Sequence, residues 1–338
     1  MAMHFAAPEN VSLSEDSYVL TLVIPELGRC THTCSFCVLG QEGKKGNTHL
    51  HLPGCNVAYT SIVANTIDVF LESGRDITAI GIQGELPSKF DTWNKKTFPM
   101  LKYSMEQFGV TASVIDTGHD LAACLPTMLS LGEDFTYYIS IGGNRWFHDH
   151  TRPMRDGSSS YNQAMWNLEQ AVETDLNIRI SCMLMKGKIA PIIDFMQHGM
   201  TPRMKKRCKV VVHAHLNLGR DGSLGAPSST TEQFIEDLHK LLAAAEQADV
   251  ELVIDQVLSP LNLEKTGLQG ALMKKVEDGR ILRIDRESRL RIGRDILTRG
   301  TEKDVLNSFA VSTSDRIAKD ILCRVEAHEA AVATTLAA

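Results

Sequence analysis

The feature that most constrains this chain is an alternation. Short apolar runs of β-forming residues recur between longer stretches with helical periodicity. Tyr18–Ile24 (YVLTLVI), Ile77–Ile82, Val110–Ile115, Thr136–Ile141, Ile178–Leu184, Val210–Leu216 and Glu251–Val257 read as strands. Val57–Ser73, Lys95–Phe108, Leu121–Leu131, Tyr161–Thr174, Ile189–Met196 and Thr231–Ala248 read as the helices between them. Each apolar run is closed by Gly, Pro, Asn or a charged loop, as buried parallel strands usually are. Repeated strand–helix units joined by right-handed crossovers give an α/β fold, either a barrel or an open doubly wound sheet. Periodicity does not choose between the two.

After Pro260 the rhythm breaks. Ile281–Ile284 and Arg289–Ile292 flank Asp285–Ser288 as in a β-hairpin, and Thr301–Leu306 and Ser314–Ala327 read as helices. The expected division is an N-terminal segment over residues 1–17, a main unit over 18–258 and a small α+β extension over 259–338. The Ala/Thr-rich tail, Ala330–Ala338, is expected to fray.

With 338 residues, 43% of them hydrophobic, the chain can bury a sizeable core. A net charge of −6 argues against a broad nucleic-acid footprint. The local basic run of Lys205, Lys206, Arg207 and Lys209 reads as a solvated loop before a strand. No apolar stretch is long enough to cross a bilayer, and Met1–Asp16 lacks a basic segment followed by an apolar one. The expectation is a cytoplasmic protein with reduced thiols. Its eight cysteines form one tight group and are otherwise scattered, which is not a disulfide scaffold.

That group is Cys30-Thr-His-Thr-Cys34-Ser-Phe-Cys37, just after the first strand. Three thiolates within eight residues can reach one metal centre. Three is also one fewer than a closed zinc or iron–sulfur site takes, which leaves a metal position open to a ligand. A structural zinc knuckle with His32 as fourth ligand is the alternative, although no second cysteine pair accompanies it.

The CxxxCxxC spacing, with an aromatic residue before the last cysteine, resembles the radical S-adenosylmethionine (SAM) superfamily. The resemblance implies a partial TIM-like (β/α) barrel over residues 18–258. It implies one [4Fe–4S] cluster on Cys30, Cys34 and Cys37, with SAM on the fourth iron. Reductive cleavage of SAM then gives a 5′-deoxyadenosyl radical that abstracts hydrogen from a substrate. The cofactors carry the hard chemistry, while the protein supplies binding and orientation. A flavodoxin- or ferredoxin-type reductant is implied as partner.

Further stretches are similar to family elements. Gly81-Ile-Gln83-Gly84-Glu85-Leu-Pro87 resembles a Gly-Gly-Glu-Pro element, with Gln83 in place of the first Gly and Leu86 inserted. Glu85 would hold the SAM ammonium, and Phe36 would lie against adenine. Ser140-Ile-Gly142-Gly143 and His148-Asp149-His150-Thr151-Arg152 resemble elements of the molybdenum-cofactor and peptide-maturing branch. Ser140 would meet the SAM ribose or carboxylate, Gly142 replaces a usual Asp, and Arg152 matches the family Arg. Read alone, His148-Asp149-His150 is a polar loop, since adjacent side chains seldom converge on one metal.

In the sixth strand, period two puts His213, His215 and Asn217 on one face. With Val212 and Ala214 facing the helices, that face points into the barrel, toward substrate or SAM or toward mutual hydrogen bonds. Asp116 and His119, after the third strand, are candidates of the same kind. Cys55, Cys124, Cys182, Cys208 and Cys323 read as isolated, buried small residues. The hairpin Arg280–Gly293 holds no cysteine, so auxiliary clusters are not expected. The first substrate expectation is a peptide or protein, and the alternatives are a small metabolite, a nucleic acid or a non-enzymatic metal-binding module.

Overall fold

The computed structural model describes residues 17–23, 31–34, 55–83, 97–185, 187–214, 231–255, 272–274, 281–284, 290–292, 295–296 and 326. Eight strands appear in chain order through the main unit and just beyond it. They are β1 (Ser17–Val23), β2 (Asp76–Gln83), β3 (Thr111–Asp116), β4 (Phe135–Ser140), β5 (Asn177–Leu184), β6 (Lys209–Ala214), β7 (Leu252–Asp255) and β8 (Leu272–Lys274). They pair side by side in that order, all parallel. The helices α1 (Cys55–Glu72), α2 (Phe98–Phe108) and α3 (Leu121–Leu129) fill the first three crossovers. Two helices, α4 (Arg145–Thr151) and α5 (Ser160–Ala171), fill the fourth. The fifth holds α6 (Ala190–Asp194), a π-helical turn (Phe195–Gly199) and α7 (Pro202–Arg207), and the sixth holds α8 (Thr231–Ala248).

The sequence rhythm is therefore the fold. The seven expected strands fall within one or two residues of β1 to β7 over the described residues, because each is an apolar run buried on both faces. The hairpin is also present. β9 (Ile281–Ile284) and β10 (Leu290–Ile292) pair antiparallel, with Leu290 opposite Ile284, and β11 (Asp295–Ile296) follows on β10. Its attachment is new: β9 runs parallel to β1, Val19 opposite Ile281, so the hairpin lengthens the main sheet beyond its first strand. The expected helices at 301–306 and 314–327 lie outside the described residues, apart from helical Glu326. The tail lies outside them too.

Two expectations are corrected. The stretch read as a polar loop, His148–His150, lies within helix α4 (Arg145–Thr151), started by Asn144, whose side-chain oxygen accepts from Phe147 N at 3.1 Å. Of the basic run read as a solvated loop, Lys205, Lys206 and Arg207 belong to α7 and Lys209 opens β6. Thr201 Oγ1 accepts from Met204 N at 3.2 Å and Pro202 opens the helix, which places Lys205, Lys206 and Arg207 in its last turn. Cations there complement the negative end of the helix.

Alternation along the strands divides the core. Leu20, Ile80, Ile82, Val114, Tyr137, Ile139, Ile180, Val210 and Val212 pack against helical residues such as Ile67, Phe70, Leu101 and Leu168 in one large apolar cluster. Neighbouring positions face the other way. There Ile115, Tyr138, Val211 and Val253 form a smaller cluster, and the strand period puts buried Ser113, Ser140 and Ser181 on the same side. The helix-covered face is densely apolar, and the inner face is lined by smaller and more polar side chains. Among the described residues, no helix is long and apolar enough to cross a membrane.

Leu20, fully buried on β1 between β2 and β9, tests this arrangement. Leu20→Ala should lower unfolding free energy by about 2–5 kcal/mol. Urea titration of the two proteins checks it, and a loss well below this range would mean that the outer face is not close-packed at β1.

Candidate active site at the strand ends

Parallel pairing brings the carboxyl ends of β1 to β6 to one rim of the sheet, where ligands of such folds bind. Several residues singled out from the sequence sit on this rim. Cys34 follows β1, half-buried, on the described segment 31–34. Gln83 is the last residue of β2, Asp116 the last of β3 and Ser140 the last of β4. His213 lies on β6 opposite Met183, two positions after the inward Val211. Cys30, Phe36, Cys37, Gly84, Glu85, His215 and Asn217 lie outside the described residues.

The turn after β3 is built around Asp116. Its Oδ1 accepts from Tyr137 Oη and from Gly118 N, the latter at 2.6 Å. Burial and the adjacent Asp116 push the Tyr137 hydroxyl well above its usual pKa, so Tyr137 stays a donor. Asn167 of α5 closes the turn by donating to Gly118 O at 2.8 Å and His119 O at 2.6 Å. Gly118 has φ +78°, and a Cβ there would stand 2.6 Å from Ile139 Cγ1, so only glycine fits. By strand period Asp116 shares the helix-covered face with Val114, and its carboxylate organises the turn. That turn delivers His119, whose ring meets His32 edge-on at 6.2 Å between centroids.

The turn after β4 has its own fastening. Ser140 is buried at the inner face, and Ile141 N donates to Ser181 O at 3.0 Å. Gly142 N donates to His148 Nδ1 at 3.0 Å, and Asn144 N to Pro191 O at 2.8 Å. Helix α4 then sends its three consecutive polar side chains to three different places. His148 is buried to 1% exposure, with its ring against Tyr161. The Asp149 carboxylate accepts from Ser159 Oγ at 2.7 Å and Tyr161 N at 2.9 Å, tying α4 to the start of α5. His150 stacks flat on exposed Trp146.

The sequence reading missed His148 and Asp149 as structural centres. The signal was present, because Asn144 is a good N-cap residue and a helix turns consecutive side chains about 100° apart around its axis. Arg152 follows as the C-cap of α4, buried to 4% exposure. Because His148 Nδ1 accepts, the neutral ring carries its proton on Nε2, which is buried and has no hydrogen-bond partner among the described residues.

The thiols sort by environment. Cys124, Cys182 and Cys208 are buried, and burial pushes each up to about 12. They are inert packing residues. Cys34 is the described cysteine on the rim, a position suited to a metal thiolate. Among the described residues no group of three His, Cys, Asp or Glu could hold a metal ion, and the two other cysteines of the triad lie outside that set.

No protein-family model matches the chain, and neither does any curated protein. Solved structures do. The Streptococcus suis protein SuiB, bound to S-adenosylmethionine, aligns with a TM-score of 0.56 and 11% identity over 88% of this chain. This chain spans only 65% of SuiB. The enzyme anSMEcpe with bound AdoMet aligns at TM-score 0.53 and 12% identity, over 85% of this chain and 78% of that one. Methylornithine synthase (PylB) aligns at 0.52 and 14%, over 92% and 82% respectively. These neighbours are radical SAM enzymes. The fold of this chain is their partial (β/α) barrel.

His148 makes a pH prediction. Desolvation first, then the Arg152 and His32 charges, hold its pKa well below the usual 6.5. The unfolded chain takes up this proton from about pH 6.5 downward and the folded chain only at lower pH, so stability is lost as pH falls below that point. Urea midpoints should drop between about pH 7 and about pH 5, and drop less in His148→Asn, whose amide oxygen can still accept from Gly142. Equal slopes would show that His148 titrates normally in the folded chain.

Proposed function

We propose that this chain is a radical SAM enzyme holding one [4Fe–4S] cluster on Cys30, Cys34 and Cys37. The observation that carries the reading is the position of the Cys34 segment beyond β1, with His32 against His119 after β3 and residues 31–33 bonded to Pro153 and Arg155 just beyond α4, in the barrel fold of SAM-bound neighbours. Three thiolates are the donor set such a cluster takes, and the half-buried Cys34 on the rim suits a metal better than the deeply buried Cys124, Cys182 and Cys208.

When bound, the cluster and SAM would supply the 5′-deoxyadenosyl radical. The protein's part is to hold them. Glu85, just past β2, would take the SAM ammonium. Ser140, on the inner face, would meet its ribose or carboxylate, with Gln83 and Gly84 lending backbone and Phe36 lying by the adenine. His119, Arg152, His213, His215 and Asn217 are candidates for contact with SAM or substrate. Asp116 serves through the turn that carries His119. A flavodoxin or ferredoxin would deliver the electron, in the cytoplasm.

A peptide or protein is the preferred substrate. SuiB is described bound to its precursor peptide SuiA, and anSMEcpe bound to the Cp18Cys peptide. A small amino-acid-like substrate is the second reading, supported by the closer match in length to methylornithine synthase.

Anaerobically reconstituted protein should hold about four irons and convert SAM plus dithionite into 5′-deoxyadenosine and methionine. Cys34→Ala should lose both the iron and this reaction while keeping the wild-type urea midpoint. An unchanged cleavage rate would overturn the assignment.

Glu85→Gln should keep its iron but bind SAM roughly ten- to a hundredfold more weakly, the worth of one charge-assisted hydrogen bond. Equal affinity in calorimetric titration would remove Glu85 from the site.

A further inference from the structure

The segment that carries Cys34 is fastened to a distant part of the chain. Thr33 N donates to Pro153 O at 2.8 Å, and Arg155 N donates to Thr31 O at 2.8 Å. Between these bonds His32 faces Met154 in an isolated antiparallel bridge, both residues buried. Thr33 Oγ1 adds a longer bond to the same Pro153 oxygen at 3.3 Å. The grip therefore falls on the three residues between Cys30 and Cys34.

The gripping segment is itself immobilised. Ser160 Oγ donates to Arg152 O at 2.7 Å, which holds the chain at the point where it leaves α4. Gly157 N closes a turn onto Met154 O at 3.2 Å on the other side. Asp149 locks α4 to α5, and His148 locks α4 to Gly142, two residues beyond Ser140. A continuous run of hydrogen bonds thus joins the end of β4 to the cysteine segment.

We infer that Pro153–Arg155 is a positioning clamp, fixing where Cys34 presents its thiolate relative to the end of β4. This rests on the reading of Cys34 as a cluster ligand. Groups that orient a metal ligand without touching the metal hold its geometry and its affinity, and their loss typically costs tenfold to a hundredfold. The clamp acts mainly through backbone groups, and the Thr33 hydroxyl adds the one side-chain bond to it among the described residues.

Arg155 allows that removal cleanly. It is the second residue of the turn Met154–Gly157, a position that favours proline, so Arg155→Pro deletes the bond to Thr31 while suiting the turn. Arg155→Ala keeps the N–H and removes only the exposed side chain. Cluster-loaded Arg155→Pro should release iron to a chelator roughly 10–100-fold faster than wild type. The paramagnetic signal and reduction potential of its reduced cluster should shift, with Arg155→Ala like wild type in both.

Release at the wild-type rate in Arg155→Pro, or equally fast release in Arg155→Ala, would overturn the clamp. Should Arg155→Pro fail to fold, Thr33→Val takes its place. It should give a smaller acceleration that Thr33→Ser reverses, and no acceleration would overturn the inference. A wild-type chain that takes up no iron would instead overturn the functional reading.

Discussion

Strands β1 to β8 hydrogen-bond in one direction, so every connection must carry the chain back across the length of the sheet before the next strand begins. The helices exist to make those returns, and their apolar stripes cover one face of the sheet. The same constraint gathers every strand's carboxyl end on one rim. In the described turns there, backbone and polar groups meet one another outside the strand ladders. Cys34, the Asp116 turn and the Gly142–His148 contact all lie within that rim. The inner face below is buried but carries serines where the outer face carries Leu, Ile and Phe. A sheet closed by bulky side chains on both faces would be stable and would have nowhere to place a ligand.

The strands were legible because each is an apolar run of β-formers with a breaker behind it, and burial on both faces leaves no other use for such a run. Helices were legible where they were long. Helix α4 was not: seven residues with two histidines, an aspartate and an exposed tryptophan show no stripe. Its helicity comes from the local Asn144 cap together with the Asp149 tie to α5 and the His148 bond to Gly142, and of these only the cap has a sequence signature. The basic run at Lys205 was read by its charge, although Thr201-Pro202 just ahead of it is a helix-start signal.

For the candidate site, cysteine spacing drew attention to the loop after β1, of which residues 31–34 are described, and the reading placed Ser140 by the end of the fourth strand, where β4 ends. The support behind them was not readable. The contact between residues 31–33 and 153–155 joins segments far apart in sequence through main-chain groups, which carry no residue signature. Asp116, read from the sequence as a candidate for contact with substrate or SAM, lies on the helix side by the two-residue period, where Tyr137 and Gly118 donate to its Oδ1. The likeness to SuiB at 11% identity fits this picture. Alternation and crossover length can persist while nearly every side chain changes.

The pairing of β9 with β1 also bears on how the chain is assembled. Strand β1 is synthesised early, but its outer edge finds Ile281–Ile284 only when most of the polypeptide has been made. Until then the strand leading into the cysteines offers an unpaired row of amides and carbonyls, the kind of edge that recruits another chain. Closing so long a loop is slow in entropy terms and late in translation. Truncations before residue 281 should therefore be prone to self-association through β1, even though they retain every crossover of the barrel.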